Sequence, residues 1–426
     1  MRELRQLIAR NRAGSAEALP SVCSAHPEVI VAALLLADRL DQPLLIEATS
    51  NQVNQMGGYT GMTPADFVGF VHRLCDLNGV SRDRVLFGGD HLGPQAWRDQ
   101  TAEVAMAHAR DLVAAYVRAG FTKIHLDCSE GCAGEPAQVG DAGSAARAAD
   151  LAQVCEAAAS DPESLSYMFG TEVPPPGGAR ADEGAAIHPT APDSATATIA
   201  AHRDAFAACG LLAAWPRAVG LVVQPGLEFA PDHVIHFDPR SPDHLSAVLG
   251  PHPGLSFEAH STDYQHDAVF PDLARRHFAV LKVGPALTFA YRQGAYALDA
   301  LARWLAPDSP RRPLPEVMEA LMLANPKNWV RHCTGDETRL RLLRHFGYAD
   351  RIRYYWAQPE AQQAVAALRA ELSAAWAPAP LIAQYFAPAV INRADTLIRD
   401  GRSWADAVVL AQVQEMLAPY FACGQR

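Results

Sequence analysis

The sequence predicts an α/β fold: a TIM (β/α)8 barrel over residues 1–305, followed by a helical C-terminal region over 306–426 packed on the barrel. Three observations lead there. Eight short runs rich in Val, Ile, Leu and Phe end in polar residues, and Ala-rich amphipathic stretches separate them, which is the alternation of a parallel sheet. The count of eight favours a closed barrel over an open doubly wound sheet. After Leu305 the prolines 310, 313 and 315 interrupt the chain, and no strand signal returns.

In order, the expected strands are Ser21 to Ser24, Leu44 to Glu47, Val85 to Asp90, Lys123 to Asp127, Met168 to Glu172, Val219 to Gln224, Leu255 to His260 and Val280 to Val283. Expected helices fill most gaps. Pro27 to Arg39 has a Leu/Ala face. Thr63 is placed to cap a helix that opens on Pro64. Thr101 to Arg118, Ala145 to Ala159, Ser194 to Ala213 and Gln265 to Phe278 follow. Beyond the barrel, helices are expected over Leu314 to Leu323, Glu337 to Phe346, Pro359 to Trp376 and Ala405 to Tyr420. The Pro- and Gly-rich stretch from Pro174 to Pro192 reads as a loop or lid after the fifth strand.

A chain of 426 residues with 49% hydrophobic and 19% charged residues has globular composition. The formal charge of −11 leaves no basic face for nucleic acid. Eight scattered cysteines without a CxxC pair read as thiols of a reducing compartment. The N-terminal residues carry Arg and Glu within their apolar stretch, unlike a secretion signal, and no apolar run reaches the ~20 residues that span a bilayer. A cytoplasmic protein without membrane contact is expected, as a homo-oligomer.

Chemistry in such a barrel sits at the carboxyl ends of the strands. Those ends are crowded here: Glu47, Ser50 and Asn51 around the second; Asp90 and His91 at the third; Lys123, His125 and Asp127 along the fourth; Glu172 at the fifth; Gln224 at the sixth; Glu258, His260, Ser261 and Asp263 at the seventh; Lys282 in the eighth. Each has a bland alternative, such as a helix cap for Asp90 or a solvated loop for Glu172. Polar termini on nearly every strand are harder to explain that way, and a lysine inside an apolar strand needs a partner or a function. His91, Glu172 and His260 together suit a borderline divalent ion such as zinc, with a position left for substrate. Asp90 is then a candidate general base, and Lys282 and Arg292 are candidates to neutralise a phosphate. Cys128 and Cys132 lack a second thiol pair and read as structural. No GxGxxG, Walker or Ser-elbow pattern occurs, which argues against dinucleotide, nucleoside triphosphate and Ser-hydrolase chemistry.

The runs IEATSNQVNQMGGYTGMTPADF (46–67), GGDHLGP (88–94), KIHLDCSEGCAG (123–134), GTEVPPPGG (170–178), VVQPGLEF (222–229) and FEAHSTDYQ (257–265) resemble the Z-subunit family of class II D-tagatose-1,6-bisphosphate aldolase over almost the whole chain. That family is described as a TIM-barrel, non-catalytic partner of a zinc-dependent aldolase subunit, with some members resembling D-tagatose 6-phosphate 4-epimerases. The resemblance implies Asp90-His91 as base and metal ligand, Glu172 as a strand-five carboxylate and His260 as a metal ligand. The aldolases place a histidine on strand six where this chain has Gln224, a weaker and neutral ligand.

Two functions follow. One is a metal-dependent epimerase acting by retro-aldol chemistry, with Asp90 as base, Glu172 or Asp127 assisting, and Glu47, Ser50, Asn51, Lys123, His125, Gln224, Ser261, Lys282 and Arg292 contacting a ketose or ketose phosphate. The other is a non-catalytic subunit that stabilises a class II aldolase partner.

Overall fold

The computed structural model describes residues 2–172, 187–373 and 377–424. Ten strands occur in it: β1 (Leu19–Cys23), β2 (Leu44–Thr49), β3 (Val85–Leu92), β4 (Lys123–Leu126), β5 (Ser166–Phe169), β6 (Ala218–Val222), β7 (Glu228–Phe229), β8 (Val234–Ile235), β9 (Ser256–Ala259) and β10 (Phe278–Val283). Eight of them close a parallel barrel in the order β1-β10-β9-β6-β5-β4-β3-β2. Every predicted strand is present, shifted by a few residues at its ends. The β7–β8 pair is an antiparallel hairpin that the sequence reading did not anticipate, because two-residue strands carry too little pattern.

The helices are α1 (Arg2–Arg10), α2 (Pro27–Arg39), α3 (Pro64–Asn78), α4 (Ala102–Arg118), α5 (Asp141–Ala158), α6 (Pro192–Ala208), α7 (Val269–Arg275) and α8 (Pro285–Leu305), then α9 (Leu314–Ala324), α10 (Glu337–Phe346), α11 (Pro359–Ser373), α12 (Ala379–Tyr385), α13 (Pro388–Arg399) and α14 (Trp404–Phe421). Thr63 caps α3 as expected, accepting from Asp66 N–H in a reciprocal capping box. The α7 helix starts later than Gln265. The side chain of Gln265 instead accepts from Phe237 N–H (2.9 Å) and donates to Ile235 O (3.2 Å), bracing the hairpin. Residues 173–186, which hold most of the expected lid, lie outside the described residues.

The amino end of the barrel is plugged. Leu4, Leu7 and Ile8 of α1 pack on Leu19, Leu45, Leu86, Met168, Val219 and Val280 inside the lumen. That apolar floor excludes water and leaves the other mouth for chemistry. Residues 353–369, which run into α11, line part of this second mouth, and α14 packs beside the barrel. Gln414 of α14 donates to Ala32 O of α2 (3.1 Å), and the Tyr420 hydroxyl donates to Thr262 O beyond β9 (2.8 Å). Arg369 of α11 pairs with Glu28 at the start of α2.

Two glycines are dictated by close approach. A Cβ on Gly88 would meet Glu47 Cγ at 2.7 Å, so Gly88 makes room for a carboxylate pointing into the lumen. A Cβ on Gly93 would lie 1.7 Å from Asp127 O. Gly93→Ala is expected to destabilise the fold by about 1–3 kcal/mol through overpacking and to displace Asp127, so denaturant melts and activity should fall together.

Candidate active site

Each carboxyl-end side chain is placed by a specific feature of its strand. The pairing of β3 with β4 shifts register between Gly89 and Leu92, and His91 has φ of 47°. This irregularity breaks the alternation that would send neighbours to opposite faces. Asp90 and His91 are consecutive and both buried, with His91 Nε2 3.5 Å from Asp90 Oδ1. A left-handed backbone at a non-glycine residue stores strain of the kind found at functional sites.

Beneath them lies a buried ion network. Lys123 Nζ is 2.6 Å from Glu47 Oε1 and 2.8 Å from Glu258 Oε2. Lys282 binds Asp90 Oδ1 and lies 3.3 Å from Glu47 and 3.2 Å from Glu258. Burial works against both charges of the Asp90–Lys282 pair. Mutual attraction wins, with His91 also acting on Asp90, so the Asp90 carboxyl is held well below the ordinary carboxylate range and Lys282 well above its own. The Thr49 hydroxyl donates to the other Asp90 oxygen at 2.8 Å. The network therefore fixes an ionised Asp90 in one orientation.

Three imidazoles surround it. The rings of His91, His125 and His260 have centroids 5.1 Å apart in all three pairs. His91 Nδ1 is 2.6 Å from Asp127 Oδ2, and His260 Nε2 is 2.9 Å from Glu258 Oε1. Each of these rings can give one N–H to a buried carboxylate, and its neutral form then keeps a lone pair on the other nitrogen. This is the arrangement that orients histidine ligands of metals. For His91, burial works against the charged ring, but Asp90 and Asp127 outweigh it and raise the ring above the ordinary imidazole value. Asp127 in turn is fixed by the Ser129 hydroxyl at 2.7 Å. His125 Nδ1 accepts from the His91 N–H (3.1 Å), and its buried Nε2 has no hydrogen-bond partner. Burial, then Lys282, pushes His125 down to about 4, so it is neutral at pH 7. Two groups with ligand atoms close enough for one ion, Asp90–His91–His125 and His125–Glu258–His260, share His125.

Each of these two groups offers donors for a divalent cation, and the 5.1 Å ring spacing is of the size that imidazoles take around one tetrahedral ion, about 5 Å. His125 joins as a ligand only where its proton leaves Nε2, since Nδ1 already accepts from the His91 N–H. The four carboxylates Glu47, Asp90, Asp127 and Glu258 also outnumber the ammonium groups of Lys123 and Lys282 by two.

Not every residue picked from the sequence joins the cluster. Glu172 lies three residues beyond β5 and is exposed. Gln224 turns its Oε1 to the N–H groups of Gly226 (2.8 Å) and Leu227 (3.1 Å), closing a turn. Arg292 is buried on α8 and faces Asp350 at 3.4 Å. None of the three lines the cavity above Asp90. Ser50 is buried and gives its backbone N–H to Asp90 O, and Glu47 and Lys123, expected to contact substrate, are fully buried in the ion network and do not line the cavity, whereas Asn51, Ser261 and Lys282 do. His125 was read as a substrate contact; the structure makes it the third ring. Glu258 was noted only as a polar strand end, although its place two residues before His260 put both on one face. The C-terminal wall residues Arg353, Tyr354 and Arg369 were missed, since nothing in a helical segment marks which side chain reaches a distant cavity. That cavity measures about 730 Å³.

Residues 4–425 match the family described as D-tagatose-1,6-bisphosphate aldolase subunit GatZ/KbaZ-like. The chain belongs to this family. A curated relative from Agrobacterium fabrum (strain C58), named D-tagatose 6-phosphate 4-epimerase, is 47% identical over 422 residues, covering 98% of this chain and 97% of the relative. A crystal structure from Sinorhizobium meliloti 1021, titled a probable tagatose 6 phosphate kinase, is 46% identical, covers 95% of this chain and 100% of its own, and superposes with a TM-score of 0.86. The GatZ/KbaZ-like barrel with its C-terminal helices is thus shared along nearly the full length. No helix among the described residues is long and apolar enough to cross a membrane.

Removing Lys282 should expose the cost of the buried network. Lys282→Met is expected to destabilise the chain by about 3–5 kcal/mol, since it strands buried carboxylates. Asp90 and Glu258 are both held below their ordinary values, so they stabilise the fold above pH ~4 and lose that contribution as pH falls further. In Lys282→Met their values rise, and acid unfolding followed by circular dichroism should begin at higher pH than in the parent.

Proposed function

We propose that this chain is a metal-dependent ketohexose-phosphate 4-epimerase interconverting D-tagatose 6-phosphate and D-fructose 6-phosphate. The observation that carries the reading is Asp90, ion-paired to Lys282, beside His91 and His260 at the base of a cavity of ligand size, with His125 buried behind them. The epimerase name of the 47% identical Agrobacterium relative supports it.

The hydrogen on C4 of such a sugar is not acidic, because C4 is β to the C2 carbonyl. Inversion by simple proton abstraction therefore fails, and cleavage of C3–C4 solves the problem. His91, His125 and His260 would hold a divalent ion such as zinc, which would supply Lewis-acid stabilisation of the enediolate. Asp90 accepts the 4-hydroxyl proton as the C3–C4 bond breaks. The bond electrons pass to the C2–C3 unit, and C4 becomes an aldehyde. Lys282 holds Asp90 in place and adds positive potential beside the developing negative charge. After the aldehyde turns, C3 attacks its other face, and Asp90 returns the proton to the new 4-hydroxyl. Asp127 acts through His91, as a positioning residue. Glu172 takes no part in this scheme.

The second reading, a stabilising subunit for a separate aldolase, rests on the family description. It needs a complementary surface and leaves the buried cluster without a purpose. Phosphoryl transfer from a nucleotide has no glycine-rich phosphate loop in this sequence to support it.

The purified single chain, given D-tagatose 6-phosphate, is expected to form D-fructose 6-phosphate. Chelator should stop turnover and added zinc restore it, and Asp90→Asn should lower kcat by about 10²–10⁴. An Asp90→Asn chain that keeps full turnover would remove Asp90 from the mechanism. A chain inert alone but able to activate an aldolase partner would favour the subunit reading.

Metal affinity measured by calorimetry separates the ligand assignments. Asp127→Asn should weaken zinc binding by about 10–100-fold through loss of the His91 partner. His125→Ala should cost at least as much, and Gln224→Ala should leave it unchanged.

A further inference from the structure

The cavity has an uneven supply of positive charge. Among the described residues that line it, Lys282, Arg353 and Arg369 are cationic. Lys282 is committed to Asp90, Glu47 and Glu258. Arg369 pairs with Glu28 and lies 3.2 Å from Asp406. Arg353 has no carboxylate within ion-pair distance among the described residues. It donates to the carbonyls of Ala349 and Asp350 (3.2 Å) and to the Tyr354 hydroxyl (2.9 Å), and its guanidinium lies 4.5 Å from the Tyr354 ring centre. Tyr354 meets Tyr59 of the loop after β2 edge-on, with ring centroids 4.9 Å apart. The Arg353–Tyr354 pair thus belongs to the wall that the C-terminal region contributes.

One usual barrel position for a phosphate, the helix N-terminus after the last strand, is closed. In many barrels the amides after the last strands, at a helix N-terminus, hold it. Here Asp263 Oδ1 already accepts from Gly284 N–H (3.1 Å) and Ala286 N–H (2.7 Å), and Pro285 between them has no N–H. A phosphate there would meet a buried carboxylate instead of free donors.

We infer that Arg353, assisted by the Tyr354 hydroxyl, anchors the phosphate of the sugar and retains the aldehyde half while it turns. The inference rests on the epimerase reading. Cleavage of C3–C4 in a ketohexose 6-phosphate leaves the phosphate on the three-carbon aldehyde, which then has no covalent tie to the enediolate. Held at C6 by the guanidinium, that fragment rotates about C4–C5 and offers its other face without leaving. Loss of the anchor converts an epimerase into a leaky aldolase. With one guanidinium free of a carboxylate partner among the described lining residues, the site is matched to a monophosphate.

The test uses the full chain with Arg353→Met and Arg353→Lys, comparing D-tagatose 6-phosphate with unphosphorylated D-tagatose. In Arg353→Met the preference for the phosphorylated sugar, as a ratio of kcat/KM values, should fall about 10- to 100-fold, the size of a charge-assisted hydrogen bond. Arg353→Lys should fall between that variant and the parent. Competitive inhibition by inorganic phosphate should weaken in step, and more D-glyceraldehyde 3-phosphate should escape per epimer formed. Equal losses on both sugars, or unchanged inhibition by phosphate, would overturn the anchor. If the parent epimerises neither sugar, the epimerase reading falls on its own, and calorimetric titration of inorganic phosphate into parent and Arg353→Met still decides whether Arg353 binds phosphate.

Discussion

The site depends on the salt-bridge network that joins Lys123 and Lys282 to Glu47, Asp90 and Glu258 inside the barrel. Layers of branched apolar side chains usually fill such a lumen. Below this network they do, where α1 seals the floor. Above it, charge replaces them, and Glu47, Lys123 and Glu258 are fully buried. Burying five charged side chains is costly unless each has partners. Here each lysine touches at least two carboxylates, and Gly88 omits the Cβ that would collide with Glu47. The return is orientation: Asp90 is ionised and immobile, and Glu258 holds His260 by one ring nitrogen. Charges fixed before substrate arrives need no reorganisation during the reaction.

The barrel was legible because eight strand runs and their helices repeat a pattern that survives errors of a few residues at each end. Where the reading slipped, tertiary contacts outweighed local preference. Gln265 looked like helix and became a brace for the β7–β8 hairpin. Half of the site was legible too, since Asp90, His91, Asp127, His260 and Lys282 sit at strand ends, where polarity is informative. Glu172 and Gln224 carried the same signal, but they lie past the ends of β5 and β6. Once the chain leaves the strand, period-two reasoning no longer says where a side chain points. His125 was in plain view on the same strand face as Asp127. Its membership in the ring follows from the β3 irregularity that brings His91 over it, and no sequence pattern announces that bend.

The C-terminal helices do more than cover the barrel. Their contacts with α2 and with the loop after β9 bring Arg353, Tyr354 and Arg369 over the mouth. On the proposed reading the barrel supplies proton transfer and the candidate metal ligands, and the helical region adds one part of the cavity wall, from Arg353 to Arg369. Asp263 caps the N-terminus of α8 and withdraws the Gly284 and Ala286 amides from any anion.

The distinction between an epimerase and an aldolase is then one of retention. On the proposed reading both break the same bond, and both need the enediolate stabilised. They differ in whether the aldehyde leaves before the bond re-forms. Retention needs an enclosed cavity with room for a three-carbon fragment to turn, and a grip on that fragment away from the reacting carbon. The cavity of about 730 Å³ offers the space, and its wall opposite the barrel offers the grip. On the proposed reading a shared fold serves either outcome, and Arg353 on the helical region is what tips it toward retention.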